Sequence, residues 1–220
     1  MSTRGLCITI EGIDGSGKST FARNLFQAVR FLTQAEVTLT REPGGTEIGE
    51  RLRDILKSGA VKDEWTQALL FAAARRELIE TVITPAVRMG QVIIIDRFVD
   101  SMLVYQSSKT LSQNELLRLH ELTTGGYLPD LTFWVDTPAA LARSRVESRS
   151  GNDALDQANL ERYFKLQEGF RNLYLNDKHG RIIRLDGELT ESNIVSQAIG
   201  RLTKLKLFMH TDLESGEAIQ

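Results

Sequence analysis

Five short apolar runs punctuate the chain, and helical patterning follows each of them. Residues 6–10 (LCITI) are apolar, rich in β-branched side chains and run straight into glycines, which reads as a buried strand. Over residues 19–32, Phe21, Leu25, Phe26, Val29 and Leu32 fall on one side of an amphipathic helix. Residues 37–40 give a second strand, and Gly44 and Gly45 open a helix through about Lys57. Residues 64–89 read as helical, with a bend where Pro85 removes a backbone donor. The unbroken apolar run 92–95 has the character of a central parallel strand. A helix over 112–124, a strand over 131–135 and helices from about Pro138 and Leu160, with a polar loop around 150–157 between them, come next. A strand over 181–185 and a helix over 191–205 complete the order. Strands alternating with helices predict an α/β fold, a parallel sheet covered by helices on both faces. Residues 1–206 are expected to form one domain. The tail, residues 207–220, is weakly patterned and expected to be poorly ordered.

Composition narrows the class without naming a reaction. The 220 residues are 41% apolar and 25% charged, with a formal net charge of −2. That balance suits one well-buried domain and argues against a nucleic-acid binder, which would be strongly basic. An anionic ligand must therefore be met by local groups of Lys and Arg. The single cysteine, Cys7, lies in the first apolar run and reads as a small core residue in a reducing compartment. Glu11 interrupts that run too early for a signal peptide, and no stretch approaches the ~20 apolar residues of a membrane span. A cytoplasmic protein with no membrane partner is expected.

The sharpest local signal is Gly12-Ile13-Asp14-Gly15-Ser16-Gly17-Lys18-Ser19, followed by Thr20. It matches G-x-x-x-x-G-K-[ST] and sits between a predicted strand and a predicted helix, the context a phosphate-binding P-loop requires. Glycines let backbone N–H groups turn inward, and the positive end of the next helix adds to their field. Lys18 then reaches the β- and γ-phosphates, and the Ser19 hydroxyl takes Mg²⁺. Asp96, closing the apolar run 92–95, is the second acid on the metal side.

Three further groups bear on the acceptor. In Thr40-Arg41-Glu42-Pro43-Gly44-Gly45-Thr46, an arginine at a strand's carboxyl end faces the ligand crevice of an open α/β sheet, and guanidinium forks onto phosphate. Asp96-Arg97-Phe98, with Ser101, Tyr105 and Gln106, offers a second such arginine. Phe71 and Arg75, four apart, share a helix face and suit a base stacked on a ring and bonded at its edge. Taken alone, Phe71 reads better as a core aromatic, Arg75 as half of a surface pair, and Tyr105 and Gln106 as ordinary helix residues.

Together these pieces resemble the thymidylate kinase family from residue 6 to about 205. IEGIDGSGKST, TREPGGTEIGE, LLFAA-A-R, DRFVDS with YQ three residues on, LPDLTFWVDTP and LARSR occur in family order. The resemblance implies a P-loop nucleoside monophosphate kinase fold with a small mobile lid, transfer of the γ-phosphoryl of ATP to dTMP to give dTDP and ADP, Mg²⁺ as cofactor, and a homodimer. It implies that Gly12 through Thr20 hold ATP, with Lys18 also catalytic, and that Arg41 and Arg97 hold the dTMP 5′-phosphate. Phe71 would stack on thymine, Arg75 and Gln106 would reach its edges, and Ser101 would sit beside it. Tyr105 would crowd the sugar's 2′ position, and Asp14 would approach its 3′-hydroxyl or orient a catalytic arginine. Glu42 would support the acceptor site through a cis Glu42–Pro43 bond, and Ser19 and Asp96 would act on the metal.

Some family members carry an arginine inside the P-loop, where this chain has Gly15. The resemblance then implies that arginine comes from a lid, about residues 143–157, offering Arg143, Arg145 and Arg149. Three arginines on one helix are also what a solvated face looks like, and which of them acts stays open. The lid departs from the family pattern at Gln157, where an arginine is usual, and Ala74 replaces a polar residue. Rival readings are another P-loop kinase with a different acceptor, and a nucleotide-dependent switch or motor. The chain shows neither a water-positioning acid after Asp96 nor a basic stripe to favour the latter.

Overall fold

The computed structural model of the chain describes residues 4–150 and 157–205, without the side chains of residues 149, 150 and 157–159. β1 (Leu6–Glu11), β2 (Val37–Arg41), β3 (Val92–Asp96), β4 (Leu131–Asp136) and β5 (Ile182–Asp186) form a parallel sheet in the order β2-β3-β1-β4-β5. The helices are α1 (Lys18–Leu32), α2 (Glu47–Lys57), α3 (Glu64–Leu78), α4 (Thr84–Arg88), α5 (Val99–Tyr105), α6 (Gln113–Thr124), α7 (Ala139–Ser150), α8 (Gln157–Leu175) and α9 (Glu191–Leu202).

Strand side chains alternate between faces. Cys7, Ile93 and Ile95 pack with Ala68 and Ala72 of α3, Met102 of α5 and Leu116 of α6. Ile8, Ile10 and Ile94 pack on the other face with Phe21, Leu25 and Val29 of α1 and Ala198 of α9. Both faces are apolar, which is why residues 92–95 show no polar alternation. A third group joins Trp134 to Ala142 of α7 and to Tyr163 and Phe170 of α8.

The bend expected at Pro85 takes the form of a π-helical turn, Ile79–Ile83, between α3 and α4. Pro85 itself lies in the first turn of α4, where a missing donor costs little. α5 falls where the pattern assigns no element, and its seven residues are too few to display a helical period. Residues 151–156 of the expected lid and the tail lie outside the described residues. Among those described, no helix is long and apolar enough to cross a membrane.

Two contacts fix α7 against the phosphate loop. The Thr137 hydroxyl donates to the Ser16 carbonyl at 3.0 Å. A Cβ on Gly15, whose φ is +80°, would stand 2.0 Å from the Ala142 carbonyl oxygen, so the helix backbone rests directly on the glycine. The Gln167 amide on α8 completes the arrangement, donating to Asp136 Oδ1 at 2.9 Å and accepting from the Ala139 N–H at 3.2 Å.

Candidate active site

The turns after β1, β2 and β3 meet at the carboxyl edge of the sheet around a cavity of about 450 Å³. Asp14, Lys18 and Ser19 form its floor, Arg41, Glu42 and Pro43 one wall, and Phe71 and Arg75 of α3 another. Asp96, Arg97, Ser101, Tyr105 and Gln106 line the remaining side. Residues that seemed unrelated in sequence are thus neighbours, and the crevice is where ligands bind in open α/β sheets.

The loop Gly12–Lys18 leaves β1 and turns into α1 through Gly17, left-handed at φ 91°. Lys18 is only 8% exposed, and its ammonium lies 3.7 Å from Asp14 Oδ1. Burial, together with the Arg97 charge, brings its pKa down to about 8. An incoming polyphosphate would restore its full charge.

Arg97 carries the only positive φ among the described non-glycine residues, 72°, a conformation that costs on the order of 1–2 kcal/mol. Its guanidinium donates to the Gly12 carbonyl (3.2 Å), Ser101 Oγ (2.9 Å), Asp14 Oδ1 (2.6 Å) and Tyr105 Oη (3.2 Å) and lies 4.7 Å from the Tyr105 ring centroid. Burial works against its charge, but Tyr105, Asp14 and Glu11 more than restore it. Burial likewise pushes Asp14 up, yet Arg97 and Lys18 outweigh it and hold the carboxyl below its usual range. The Tyr105 phenol, pushed up to about 12 chiefly by burial, stays protonated.

Arg75 is 2% exposed, which sets aside the surface pair that its spacing alone suggested. It donates from Nε to Glu42 Oε2 at 2.9 Å and lies 5.3 Å from the Phe98 ring centroid. Glu42 precedes the cis bond to Pro43, as the resemblance implied. Burial raises Glu42 to about 7 against the pull of Arg75, and among the described residues its Oε1 has no partner. Both polar side-chain atoms of Gln106 are also buried and, among the described residues, unpartnered. Orphaned groups like these cost stability unless a ligand completes them.

Arg41 is half exposed and donates to both carboxylate oxygens of Glu50, at 2.9 and 2.8 Å. Behind it Arg53, whose Nη1 donates to the Pro43 carbonyl at 2.8 Å, also lines the cavity, as do Leu56 and Lys57. Sequence reasoning missed these three, although Arg53 and Lys57 share a face of α2 at i,i+4 spacing. It also missed Glu11, fully buried at the end of β1.

On the metal side, Ser19 Oγ donates to Asp96 Oδ2 at 2.5 Å, and Asp96 Oδ1 is buried with no partner among the described residues. Magnesium takes few protein ligands, keeping waters and phosphate oxygens for the rest, so this pair fits it. Among the described residues, no three acidic, histidine or cysteine side chains are grouped so as to hold a metal ion by themselves.

Across the loop lies a second hollow of about 230 Å³, lined by Gly17, Thr20, Arg145, Gly187 and Glu191 among others. Arg145 Nη1 comes within 4.0 Å of where a Cβ on Gly17 would sit. Arg143 is ion-paired along α7 with Glu147. The Arg149 side chain lies outside the described residues.

The family model described as thymidylate kinase matches residues 10–199. A thymidylate kinase of Dinoroseobacter shibae is 40% identical over 208 residues, 92% of this chain and 99% of the relative. That of Lactobacillus helveticus is 36% identical over 209 residues, 91% of this chain and 97% of the relative. A crystal structure of thymidylate kinase from Ehrlichia chaffeensis superposes with a TM-score of 0.74 at 28% identity, covering 91% of this chain and 99% of that one. With the phosphate loop, the paired arginines and the aromatic wall all inside the matched span, the chain belongs to the thymidylate kinase family.

Proposed function

We propose that the chain transfers the γ-phosphoryl of ATP to dTMP, giving dTDP and ADP. The observation that carries this is the continuity of the cavity, which runs from Lys18 to Phe71, Arg75 and Gln106 past Arg97. One end suits a polyphosphate, the middle an anion, and the far end a flat, polar-edged ring. In this assignment the P-loop residues Gly12 to Thr20 hold ATP, with backbone N–H groups and Lys18 on its phosphates. Arg97, with Arg41 and Arg53, holds the acceptor phosphate in line with them.

Phosphoryl transfer needs alignment and positive charge rather than covalent help from the protein. Lys18 and Arg97 supply charge from the floor, and Arg145, with Arg143 or Arg149, supplies it from α7 as the lid closes. Ser19 and Asp96 would hold Mg²⁺, which when bound neutralises charge building on the phosphate oxygens. Phe71 stacks on the base, while Arg75, Gln106 and Ser101 define its edges. Tyr105, braced by Asp14 and Arg97, crowds the 2′ position of the sugar. Glu42 fixes Arg75.

The test is a panel of dTMP, dUMP, dCMP, dGMP and thymidine, each offered with ATP and followed by ADP release. dTMP should give the highest kcat/KM; a preference for the unphosphorylated nucleoside refutes the roles of Arg41 and Arg97. The exposed apolar side chains Trp65 and Leu69 of α3 and Leu117 and Leu122 of α6 suit a second copy of the chain, and sedimentation should find a dimer. A reducing, cytoplasmic setting suits Cys7, whose thiol burial pushes up to about 12.

A further inference from the structure

Glu11 is a charged residue with no exposure at the last position of β1, directly before the phosphate loop. Strand alternation turns it toward the α5 side of the sheet, with Cys7 and Thr9. There it does what α5 cannot do for itself. Phe98, the residue before the helix, offers no side-chain cap. Glu11 Oε1 instead accepts from the Phe98 N–H at 2.7 Å and the Ser101 N–H at 3.3 Å. Its Oε2 accepts from the Ser101 hydroxyl at 2.5 Å. That hydroxyl, its proton committed to Glu11, presents its lone pairs to Arg97 Nη1 at 2.9 Å.

We infer that Glu11 is a positioning residue for the acceptor phosphate: through the Ser101 hydroxyl it sets the direction in which the Arg97 guanidinium points. The direction of hydrogen bonding makes the carboxylate, rather than any polar group of its size, the requirement. A glutamine at position 11 has two ways to sit. With its oxygen on Phe98 N, its amide donates to Ser101 Oγ, and the serine proton then turns toward Arg97, donor against donor. With the amide flipped, Ser101 is satisfied but an N–H faces the Phe98 N–H. In the first arrangement the Arg97 guanidinium loses its bond to Ser101; in the second Phe98, the residue after the positive-φ Arg97, loses the anchor of its N–H.

The charges facing Glu11 are Arg97, Lys18 of α1, Asp100 of α5 and Arg181 before β5, which clamps Asp100 with two bonds of 2.8 Å. Burial, with the Asp100 charge, raises the Glu11 carboxyl to about 7, so its ionised fraction falls as pH drops through neutrality.

This inference rests on the assignment of Arg97 to the acceptor phosphate, so Arg97→Ala is measured beside Glu11→Gln. Glu11→Gln should raise KM for dTMP about tenfold, the worth of one charge-assisted hydrogen bond, with KM for ATP within about twofold. The wild-type KM for dTMP should also climb more steeply than the variant's between pH 8 and pH 6, because only the wild type loses a carboxylate. Should Glu11→Gln fail to fold, Ser101→Ala, which breaks the relay, should raise KM for dTMP by about threefold and abolish the steep climb between pH 8 and pH 6, which the loss of a base contact alone would leave in place. If Arg97→Ala raises KM for dTMP and the Glu11 or Ser101 variant does not, or raises both KM values equally, the inference is overturned while Arg97 keeps its role. If Arg97→Ala leaves KM for dTMP unchanged, both fall.

Discussion

The two sides of the phosphate loop are built differently. On the acceptor side charge is locked in place before any ligand arrives: Arg75 with Glu42, both buried, and Arg97 with Tyr105, Ser101 and the more exposed Asp14. On the donor side the hollow is smaller, about 230 Å³, and among the described residues its cation is Arg145 of α7. Preorganised charge on the acceptor side loses nothing to reorganisation when the monophosphate binds. In the proposed assignment, charge carried on α7 is withheld until a lid closes, which would keep ATP from water.

The largest effect should come where the two sides meet. Lys18→Ala should lower kcat/KM by about a thousandfold with no loss of thermal stability, because a buried ammonium contributes to catalysis and costs the fold. A comparable loss of melting temperature would show that the loop is held together by its lysine.

Next in size is a stability difference between the sides. Arg75→Ala leaves Glu42 buried and uncompensated and should destabilise the chain by about 3 kcal/mol in urea unfolding. Arg145→Ala should leave the same unfolding midpoint unmoved. In turnover the order reverses in kind: Arg145→Ala should lower kcat by about tenfold or more with KM for dTMP unchanged. A raised KM for dTMP instead would erase the division of labour between the sides.

The smallest effect is a pH trend. Glu11 and Glu42 both have folded pKa values raised to about 7. Between the usual carboxylate range and 7 the folded chain therefore binds more protons than the unfolded one, and stability falls as pH rises through that window. Melting temperatures from pH 5 to pH 8 should decline, and Glu42→Gln should flatten the slope. A slope that steepens in the variant would point to another group.

The donor side was legible because its chemistry is local. Gly12 to Ser19 carry the glycines, the lysine and the hydroxyl within eight positions, and the flanking strand and helix showed in the hydrophobic pattern. The acceptor side is assembled from turns after three strands and from α3, elements far apart in the chain, and pattern alone gave Arg75 to the surface. Only the motif order shared with a family drew it inward. Glu11 and Arg53 escaped for a plainer reason: each looks like an ordinary charged residue until the fold encloses it. α5 escaped because seven residues make barely two turns.

The closeness of Gly15 to the Ala142 carbonyl limits what position 15 can become. Any side chain there would need the volume that the helix backbone occupies, so substitution at this one position of the loop demands a retreat of α7 in the same step. The glycine thereby ties the path of the phosphate loop to the seating of a helix that begins more than a hundred residues later.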